Sequence, residues 1–389
     1  MNQANEPQFF VYQTSKEAWD AMLNKINTAT SSIYWESYIT IDDKQGKLFF
    51  DLLEKKSNEG VDVKIVFDTL GSWFGISNKR VISLKKAGAK VIFFNDRKKK
   101  YRGWLKQLFT RSHRKILIID QKIGFIGGVN IAANMSDWLD LHVEIHGKPV
   151  HSLLRSFAKM YIISGGDKKD VKHLLKYKKR VDSDLVEFLY DEKRKKKFSR
   201  ARRSYLQAFI KARERIVLFS PYYFPDRQML LALWNAKKRG VRIDLLIPFR
   251  SDIRIATNVA YGLFSLFSKF GVNIHFTEKM MHGKGYVVDG KWAMIGSSNM
   301  EPSSLYDNYE ANIKIKDKKT VTIISDIVDG WIAKSKKFDI KHWNKRGNKK
   351  RFIEWLSYKA YMLWYEKDRD PGVDFFAKKI KNRKKGKKA

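Results

Sequence analysis

The chain has 389 residues, enough for two or three domains with substantial hydrophobic cores. Its 78 Lys and Arg residues outnumber its 41 Asp and Glu residues, which gives a formal net charge of +37, and 43% of the chain is hydrophobic. This composition excludes wholesale disorder, and the lack of cysteine excludes disulfides, iron–sulfur clusters, thiolate zinc sites and thiol catalysis. The charge predicts a polyanionic partner, either nucleic acid or an anionic membrane surface.

Two halves of the chain repeat one series of predicted elements. The first half has a helix over 17–29, a strand over 31–39, a helix over 48–59, a strand over 61–68 and, after a further helix, a strand over 88–94. The second half has a helix over 205–215, a strand over 216–224, a helix ending at 239, a strand over 241–248, a helix within 255–270 and a strand over 271–277. Alternating strands and helices predict an α/β fold with sheets covered by helices. A repeat of this length indicates a duplicated domain rather than a solenoid unit.

The composition suggests four segments. Residues 1–166 and 204–340 are the predicted first and second lobes. Residues 167–203 are strongly charged and form the predicted connection, within which 171–190 could carry helix. Residues 341–389 form a basic, aromatic tail. The longest apolar stretch, 255–268, is shorter than the about 20 residues that span a bilayer, and the N-terminus has no signal-peptide pattern, so we expect neither feature.

The repeat is sharpest at two motifs. The first contains His113, Lys115 and Asp120, followed by Gly127 and Asn130. The second contains His282, Lys284 and Asp289, followed by Gly296 and Asn299, with the same spacing throughout. Two copies of the same spacing are very unlikely to occur in one sequence by chance.

The spacing has a chemical interpretation. Residues two apart in a strand share a face, so His113 and Lys115 point the same way, and His282 and Lys284 repeat the arrangement. If the lobes pack about a pseudo-twofold axis, two His, two Lys and two Asn residues converge. Lys and Asn suit phosphate oxygens, and paired imidazoles can act as nucleophile and general acid. No metal or other cofactor is required if the Lys and Asn pairs offset the developing charge.

The doubled HxK(x)4D and GxxN pattern resembles the phospholipase D superfamily, and its order and separation resemble the bacterial cardiolipin synthases. The likeness covers about residues 8–340 and includes the segments Trp138–Gly147, Ser220–Pro225 and Asn308–Glu310. It implies two similar α/β/α lobes that form a pseudo-dimer with the active site at their interface. Gly128 stands where many members have Ser, a small-for-small change that we expect to be tolerated.

The resemblance also implies roles for individual residues. His113 is the expected nucleophile that forms a phosphohistidine, and His282 is the expected acid. Lys115, Lys284, Asn130 and Asn299 are expected to hold the phosphoryl oxygens. Asp140 and Glu310 match the acidic residues that orient the imidazoles, whereas Asp120 and Asp289 are motif residues whose expected task is to tie down a turn.

The implied function is phosphatidyl transfer between two phosphatidylglycerol molecules, or between phosphatidylglycerol and another phospholipid. The partners are then phospholipids and an anionic membrane surface, with no obligatory nucleic acid and an undefined oligomeric state. The implied location is cytoplasmic, peripheral on the inner face of the cell membrane. Two alternatives stay open: a phosphodiesterase or nuclease that acts by hydrolysis, and a non-catalytic basic scaffold that binds membrane or nucleic acid.

Several other segments have competing interpretations. The basic, aromatic stretch 97–109 is either a membrane-docking element or a solvated loop, and 255–270 is either an acyl-chain entrance or a buried helix. The aromatic run 351–366 is either an interfacial helix or a helix packed on the second lobe. His142 and His146 are too far apart along a strand to share a metal, and His275 is expected in the core.

Overall fold

A computed structural model of the protein describes residues 7–95, 110–178, 183–190, 199–252, 254–348, 352–357 and 359, with the backbone alone at 254–259, 342 and 344. The predicted stretch 97–109 and most of the tail therefore lie outside the described residues. So does the greater part of the Lys-rich segment 193–203.

Lobe one contains a seven-stranded sheet with the order β1-β7-β6-β5-β2-β3-β4. Its strands are β1 (Gln8–Thr14), β2 (Ser32–Ser37), β3 (Asp62–Asp68), β4 (Lys90–Phe94), β5 (Ile116–Ile119), β6 (Ile123–Gly127) and β7 (Leu139–His146). Its helices are α1 (Ser15–Asn27), α2 (Lys44–Asn58), α3 (Thr69–Ser72), α4 (Asn78–Lys86), α5 (Val150–Ile163) and α6 (Lys168–Val171). The strands β2, β3 and β4 pair in parallel and the others pair antiparallel.

Lobe two contains an eight-stranded sheet with the order β15-β11-β10-β9-β12-β13-β14-β8. Its strands are β8 (Val186–Tyr190), β9 (Arg215–Phe219), β10 (Arg242–Pro248), β11 (Asn273–Thr277), β12 (Gly285–Val288), β13 (Trp292–Gly296), β14 (Ala311–Ile315) and β15 (Lys336–Lys337). Its helices are α7 (Arg200–Lys211), α8 (Arg227–Lys238), α9 (Arg254–Lys269), α10 (Lys318–Ala333) and α11 (Ile340–Asn344). Apart from β15, this sheet repeats the order and the strand directions of the first.

The predicted duplication of an α/β domain is confirmed, but one part of the predicted connection has a different structure. Residues 168–176 are helical, whereas Val186–Tyr190 form the edge strand β8 instead of a helix. Val186, Phe188 and Tyr190 enter one hydrophobic core while Leu189 enters another, because alternate residues of a strand point to opposite faces. The second sheet therefore begins within the residues that were predicted to form the connection.

The hydrophobic cores explain how the two lobes pack. One core contains residues from both lobes and lies between the two sheets, with Ile116, Ile118 and Leu141 from lobe one and Ile295 and Ile313 from lobe two. Separate cores lie on the outer face of each sheet, under the helices of that lobe. The fully apolar β5 suits this arrangement, since Leu117 and Ile119 enter the outer core while Ile116 and Ile118 enter the shared one. The motifs therefore lie at the contact between the lobes.

Candidate active site between the two lobes

Each histidine motif is held by the backbone of the opposite lobe. His113 precedes β5, and its backbone N–H donates to the carbonyl of Tyr309 in lobe two at 2.9 Å. In the same way, the N–H of His282, just before β12, donates to the carbonyl of Leu139 in lobe one at 2.6 Å. These bonds lie beside isolated parallel bridges that join the lobes. These backbone bonds bring the two motifs together, as the sequence predicted.

The two imidazoles pair with carboxylates across the lobe boundary. Nδ1 of His113 lies 3.1 Å from each carboxylate oxygen of Glu310, which belongs to lobe two. Nδ1 of His282 lies 2.7 Å from Oδ2 of Asp140, which belongs to lobe one. Because a carboxylate occupies Nδ1, Nε2 is the ring nitrogen that can reach a substrate. Each complete histidine–carboxylate pair therefore requires both lobes.

Burial governs the charges in the site. Burial lowers the pKa of His113 to about 4, against an opposing effect of Glu310, and burial and Lys284 lower the pKa of His282. Burial alone would raise the pKa of each carboxyl group, but Lys284 and His282 hold the pKa of Asp140 below its usual range. His113 and Lys115 have the same effect on the pKa of Glu310. At neutral pH the His113 imidazole is therefore neutral and both carboxylates are ionised, and the charge of Asp140 favours the protonated form of His282.

The two motif lysines are buried and unusually easy to deprotonate. Burial and the neighbouring Lys284 lower the pKa of Lys115 to about 7, and burial lowers the pKa of Lys284 to about 8. The ammonium group of Lys115 donates to the carbonyl of His113 at 2.9 Å, and Lys284 donates to the carbonyl of His282. A bound anion would favour the charged form of both lysines.

The motif asparagines complete the site. Asn130 and Asn299 are both buried, and within the described part of the chain the Oδ1 atom of each is buried without a hydrogen-bond partner. Buried polar atoms rarely remain unpaired, so this matched pair indicates a place for a polar ligand. The Trp19 indole N–H donates to the carbonyl of Asn130 at 2.9 Å and fixes the loop that carries it.

Two aromatic residues from lobe one flank the imidazoles. The ring of Tyr38 lies edge-on to His113 with 4.6 Å between centroids, and Nζ of Lys115 lies 4.9 Å from the same ring. The ring of Trp138 lies 5.2 Å from that of His282. Sequence reasoning placed Trp138 in a family segment but missed Tyr38. Its place directly after the carboxyl end of β2 was the available signal.

Comparison with known proteins identifies the family. A family model described as cardiolipin synthase, PLD-like domain matches residues 22–161 and 205–331, more than half of the chain. The chain belongs to this family. It is a phosphatidyltransferase of the phospholipase D superfamily, as the sequence predicted.

Relatives within the cardiolipin synthases match over most of the chain. Minor cardiolipin synthase ClsB of Bacillus subtilis is 28% identical over 345 residues, which cover 87% of this chain and 84% of the relative. Cardiolipin synthase B of Escherichia coli K12 is 30% identical over 329 residues, which cover 82% and 79%. Cardiolipin synthase 2 of Bacillus cereus is 31% identical over 354 residues, which cover 87% and 67%.

Solved structures support the fold of the family. The crystal structure of phosphatidylserine synthase from Haemophilus influenzae superposes with a TM-score of 0.70 at 14% identity, covering 92% of this chain and 94% of that one. Polyphosphate kinase from Porphyromonas gingivalis gives a TM-score of 0.56 at 13% identity, covering 94% and 54%. At these identities the likeness concerns the fold alone.

Asp120 and Asp289 lie away from the imidazoles of this cardiolipin synthase family member. Asp120 accepts hydrogen bonds from the backbone N–H groups of residues 30–32, and Asp289 accepts them from residues 213–215. Both have positive φ angles of about 50°, which suits a turn. The expectation that they tie down a turn is confirmed.

Gly128 lies unusually close to Asp140. A Cβ atom on Gly128 would lie 2.1 Å from Oδ1 of Asp140, so a side chain here requires the carboxylate to move. The matching residue of lobe two is Ser297, whose hydroxyl donates to Glu310. Glycine and serine are therefore not interchangeable at position 128. The change between them is tolerated less well than the sequence led us to expect.

Three other histidines, His142, His146 and His275, lie in strands. Both His142 and His146 lie in β7, and the buried His142 accepts the N–H of Val129 at 3.4 Å. Asn312 holds the matching position in lobe two and accepts the N–H of Ser298 at 3.1 Å. The expected core position of His275 is confirmed, with Nε2 3.1 Å from Oδ1 of Asp244.

The described residues contain neither a candidate metal cluster nor a candidate membrane-spanning helix. They include no cluster of three or more His, Cys, Asp or Glu side chains that could hold a metal ion. None of the helices in the described ranges is long and apolar enough to cross a bilayer. The helix predicted within 255–270 is present as α9, and Leu263, Phe264 and Phe267 pack into the outer core of lobe two.

Proposed function

We propose that this protein joins two phosphatidylglycerol molecules into cardiolipin and releases glycerol, with a phosphohistidine as the intermediate. The observation that carries the proposal is the crossed arrangement of His113 with Glu310 and His282 with Asp140. Because each carboxylate engages Nδ1, this arrangement supports a reaction in which the Nε2 atoms of both imidazoles act on one phosphorus. The names of the relatives, all cardiolipin synthases, support the choice of lipid.

In the first half-reaction, Nε2 of His113 bonds to the phosphorus of one phosphatidylglycerol as the bond from phosphorus to the glycerol oxygen breaks. His282, in its protonated form, gives its proton to the departing oxygen, and glycerol leaves. Asp140 stabilises the imidazolium of His282 before this transfer, while Glu310 stabilises the positive charge that develops on His113. The roles of the two histidines follow the family resemblance.

In the second half-reaction, a hydroxyl of another phosphatidylglycerol attacks the same phosphorus. The now neutral His282 takes the hydroxyl proton, the bond from Nε2 of His113 to phosphorus breaks, and cardiolipin is formed. Lys115, Lys284 and the two asparagines hold the phosphoryl oxygens throughout. The free energy of the broken phosphoester bond is retained in the bond between phosphorus and Nε2 of His113, so the transfer needs no nucleotide.

We also propose that the protein acts while bound peripherally to the inner face of the cell membrane. A net charge of +37 supports attraction to anionic lipid. Its substrates reside in the bilayer, so attachment places the site near them.

The test is an assay with isotopically labelled phosphatidylglycerol vesicles, analysed by mass spectrometry. We expect a four-chain lipid and free glycerol from the wild-type protein and neither from His113→Ala. Phosphatidic acid in place of the four-chain lipid would instead establish hydrolysis. Metal-independent DNA cleavage that is lost in His113→Ala, without lipid turnover, would establish a nuclease. An unchanged biological effect of His282→Ala would establish the scaffold alternative.

A further inference from the structure

Lobe one has an apolar groove that no step of the proposed reaction uses. Its volume is about 670 Å³, within the range of about 300–1,000 Å³ usual for small-molecule sites. Six of its nine lining residues are apolar, Trp73, Phe74, Ile76, Val81, Ile82 and Phe93, and the other three are Ser77, Asn78 and Lys85. We call it the α3–α4 groove, because the segment between these two helices and residues of α4 line it.

The groove is surrounded by exposed apolar and cationic side chains. Phe74 is 82% exposed, and Ile82 and Leu70 are 53% and 43% exposed. Such a concentration of apolar surface marks a binding site more often than chance exposure. Three exposed lysines, Lys79, Lys85 and Lys86, lie in α4.

The residue next to one wall of the groove contacts a neighbour of His113. Ser72, the last residue of α3, donates its hydroxyl to the carbonyl of Tyr38 at 2.8 Å. The Tyr38 ring in turn lies against the imidazole of His113. Trp73, the next residue after Ser72, already lines the groove.

The floor of the groove leads to the same histidine. Phe93 in the groove contacts Trp73 with 5.6 Å between ring centroids. Its neighbour Phe94 lies on the other face of the sheet and contacts Tyr309 at 5.5 Å, and the carbonyl of Tyr309 accepts the N–H of His113. Packed residues therefore lie between the groove and His113 on two sides.

Lobe two has a different connection at the matching place. There the strands β10 and β11 are joined by the 16-residue helix α9, which packs its apolar face into the outer core. In lobe one, β3 and β4 are joined by the four-residue α3 and the nine-residue α4, and the groove is lined by the segment between them and by α4. The connection that carries the groove therefore differs between the two lobes.

We infer that the α3–α4 groove holds an acyl chain of the phospholipid whose phosphate lies at His113. This inference rests on the proposed function. The apolar lining suits a hydrocarbon chain, the exposed lysines suit anionic headgroups around it, and the packed connection places both near one phosphorus. A lipid that enters here is positioned by its chain as well as by its phosphate.

Photolabelling tests the occupant without turnover. Vesicles contain phosphatidylglycerol with a diazirine in its acyl chain, and the adducts are mapped by mass spectrometry. We expect labelling of the peptide 70–93, reduced about ten-fold by Val81→Trp, which fills the groove and removes apolar contact equal to about two methylene groups. Unchanged labelling in this variant, or adducts confined to 96–109 or 352–357, would overturn the inference.

Kinetics test the consequence for the reaction. We expect Val81→Trp and Ile82→Gln to raise the apparent KM for long-chain phosphatidylglycerol vesicles by about ten-fold on the same basis. Neither should change kcat/KM for a short-chain phosphatidylglycerol dissolved as monomers. The control Ile210→Gln alters a side chain in α7 that is 60% exposed, and should affect neither substrate.

The outcomes separate the two proposals. An equal loss of kcat/KM on the long-chain and the short-chain substrate would place the damage at the catalytic centre and refute the role of the groove. Unchanged kinetics on vesicles would also refute that role. Groove labelling without any conversion of phosphatidylglycerol by the wild-type protein would refute the proposed reaction and leave the groove as a lipid site.

Discussion

The two lobes share one topology and one motif but differ in the residues that surround the motif. Lobe one has Gly128 beside Asp140, whereas lobe two has Ser297 beside Glu310. The shorter acidic side chain, Asp140, thus lies beside the glycine, and the longer one, Glu310, lies beside the serine. A duplicated fold therefore gives two similar imidazoles in different surroundings, which is what an attacking and a proton-donating histidine require.

The lobes differ in the same way beneath the motif. Arg114, between His113 and Lys115, forms a buried ion pair with Glu36 and donates to Ser156 at 2.7 Å. By motif spacing and strand register the matching residues of lobe two are Gly283 and Phe219. One lobe thus has an internal charge pair where the other has a glycine and a buried phenylalanine.

The largest expected effect comes from the histidines themselves. With a phosphodiester whose leaving group needs no protonation, His282→Ala should accumulate a covalent adduct on residue 113, since attack is retained and only proton transfer is lost. His113→Ala should lower the rate by about 10³-fold or more. Peptide mapping of the adduct checks this, and an adduct on residue 282 in the wild-type protein would exchange the two roles.

The second prediction concerns the buried ion pair of lobe one. Arg114→Met leaves the Glu36 carboxylate without its partner, which should lower the free energy of unfolding by about 3–5 kcal/mol. The double variant Glu36→Leu/Arg114→Met imitates the apolar character of lobe two and should recover most of the loss. Denaturant unfolding measures both, and a double variant as unstable as the single one would contradict this explanation.

The third prediction concerns the crossed carboxylates. Glu310→Gln and Asp140→Asn keep the side-chain size but remove the charge that orients and stabilises each imidazole, so kcat should fall by about 10²-fold or more. Pre-steady-state kinetics should place the loss of Glu310→Gln in attack and that of Asp140→Asn in proton transfer. Identical effects on both steps would mean that the two pairs are functionally equivalent.

A smaller effect is expected where the lobes exchange their small residue. Gly128→Ser forces Asp140 to move, at a cost of about 1–3 kcal/mol, and should lower kcat through His282. The double variant Gly128→Ser/Asp140→Glu reproduces the combination found in lobe two and should restore part of the activity. The mirror change Ser297→Gly removes one hydrogen bond, worth about 1 kcal/mol, and should be milder. A harmless Gly128→Ser would contradict the steric argument.

The smallest effect is a pH dependence of anion binding. Lys115 and Lys284, with pKa values of about 7 and about 8, are charged below these values and lose their protons above them. Binding of sulfate, whose own charge is constant here, should therefore weaken as the pH rises from about 6 to about 9. Calorimetry with Lys115→Arg should show the decline at higher pH, because arginine stays charged. A flat profile in the wild-type protein would show that the lysines keep their protons.

Much of this molecule is determined by local sequence. Alternating and apolar runs specify strands such as β5, helical spacing specifies α9, and the repeated motif specifies which histidines, lysines and asparagines meet. The strand β8 was missed because its short alternating pattern lies among charged residues. Tyr38 was missed because its only signal was its place directly after β2, which does not by itself show a contact with His113.

Tertiary structure alone decided which partners meet. His282 and Asp140 are 142 residues apart, and His113 and Glu310 are 197 apart, so no local pattern could show that each imidazole takes its carboxylate from the other lobe. The contact between Gly128 and Asp140 and the open groove beside α3 likewise depend on how two sheets and their helices pack. The spacing of residues along the chain determines the direction in which each side chain points within a helix or strand. The distances between these elements are set only when the hydrophobic cores between them form.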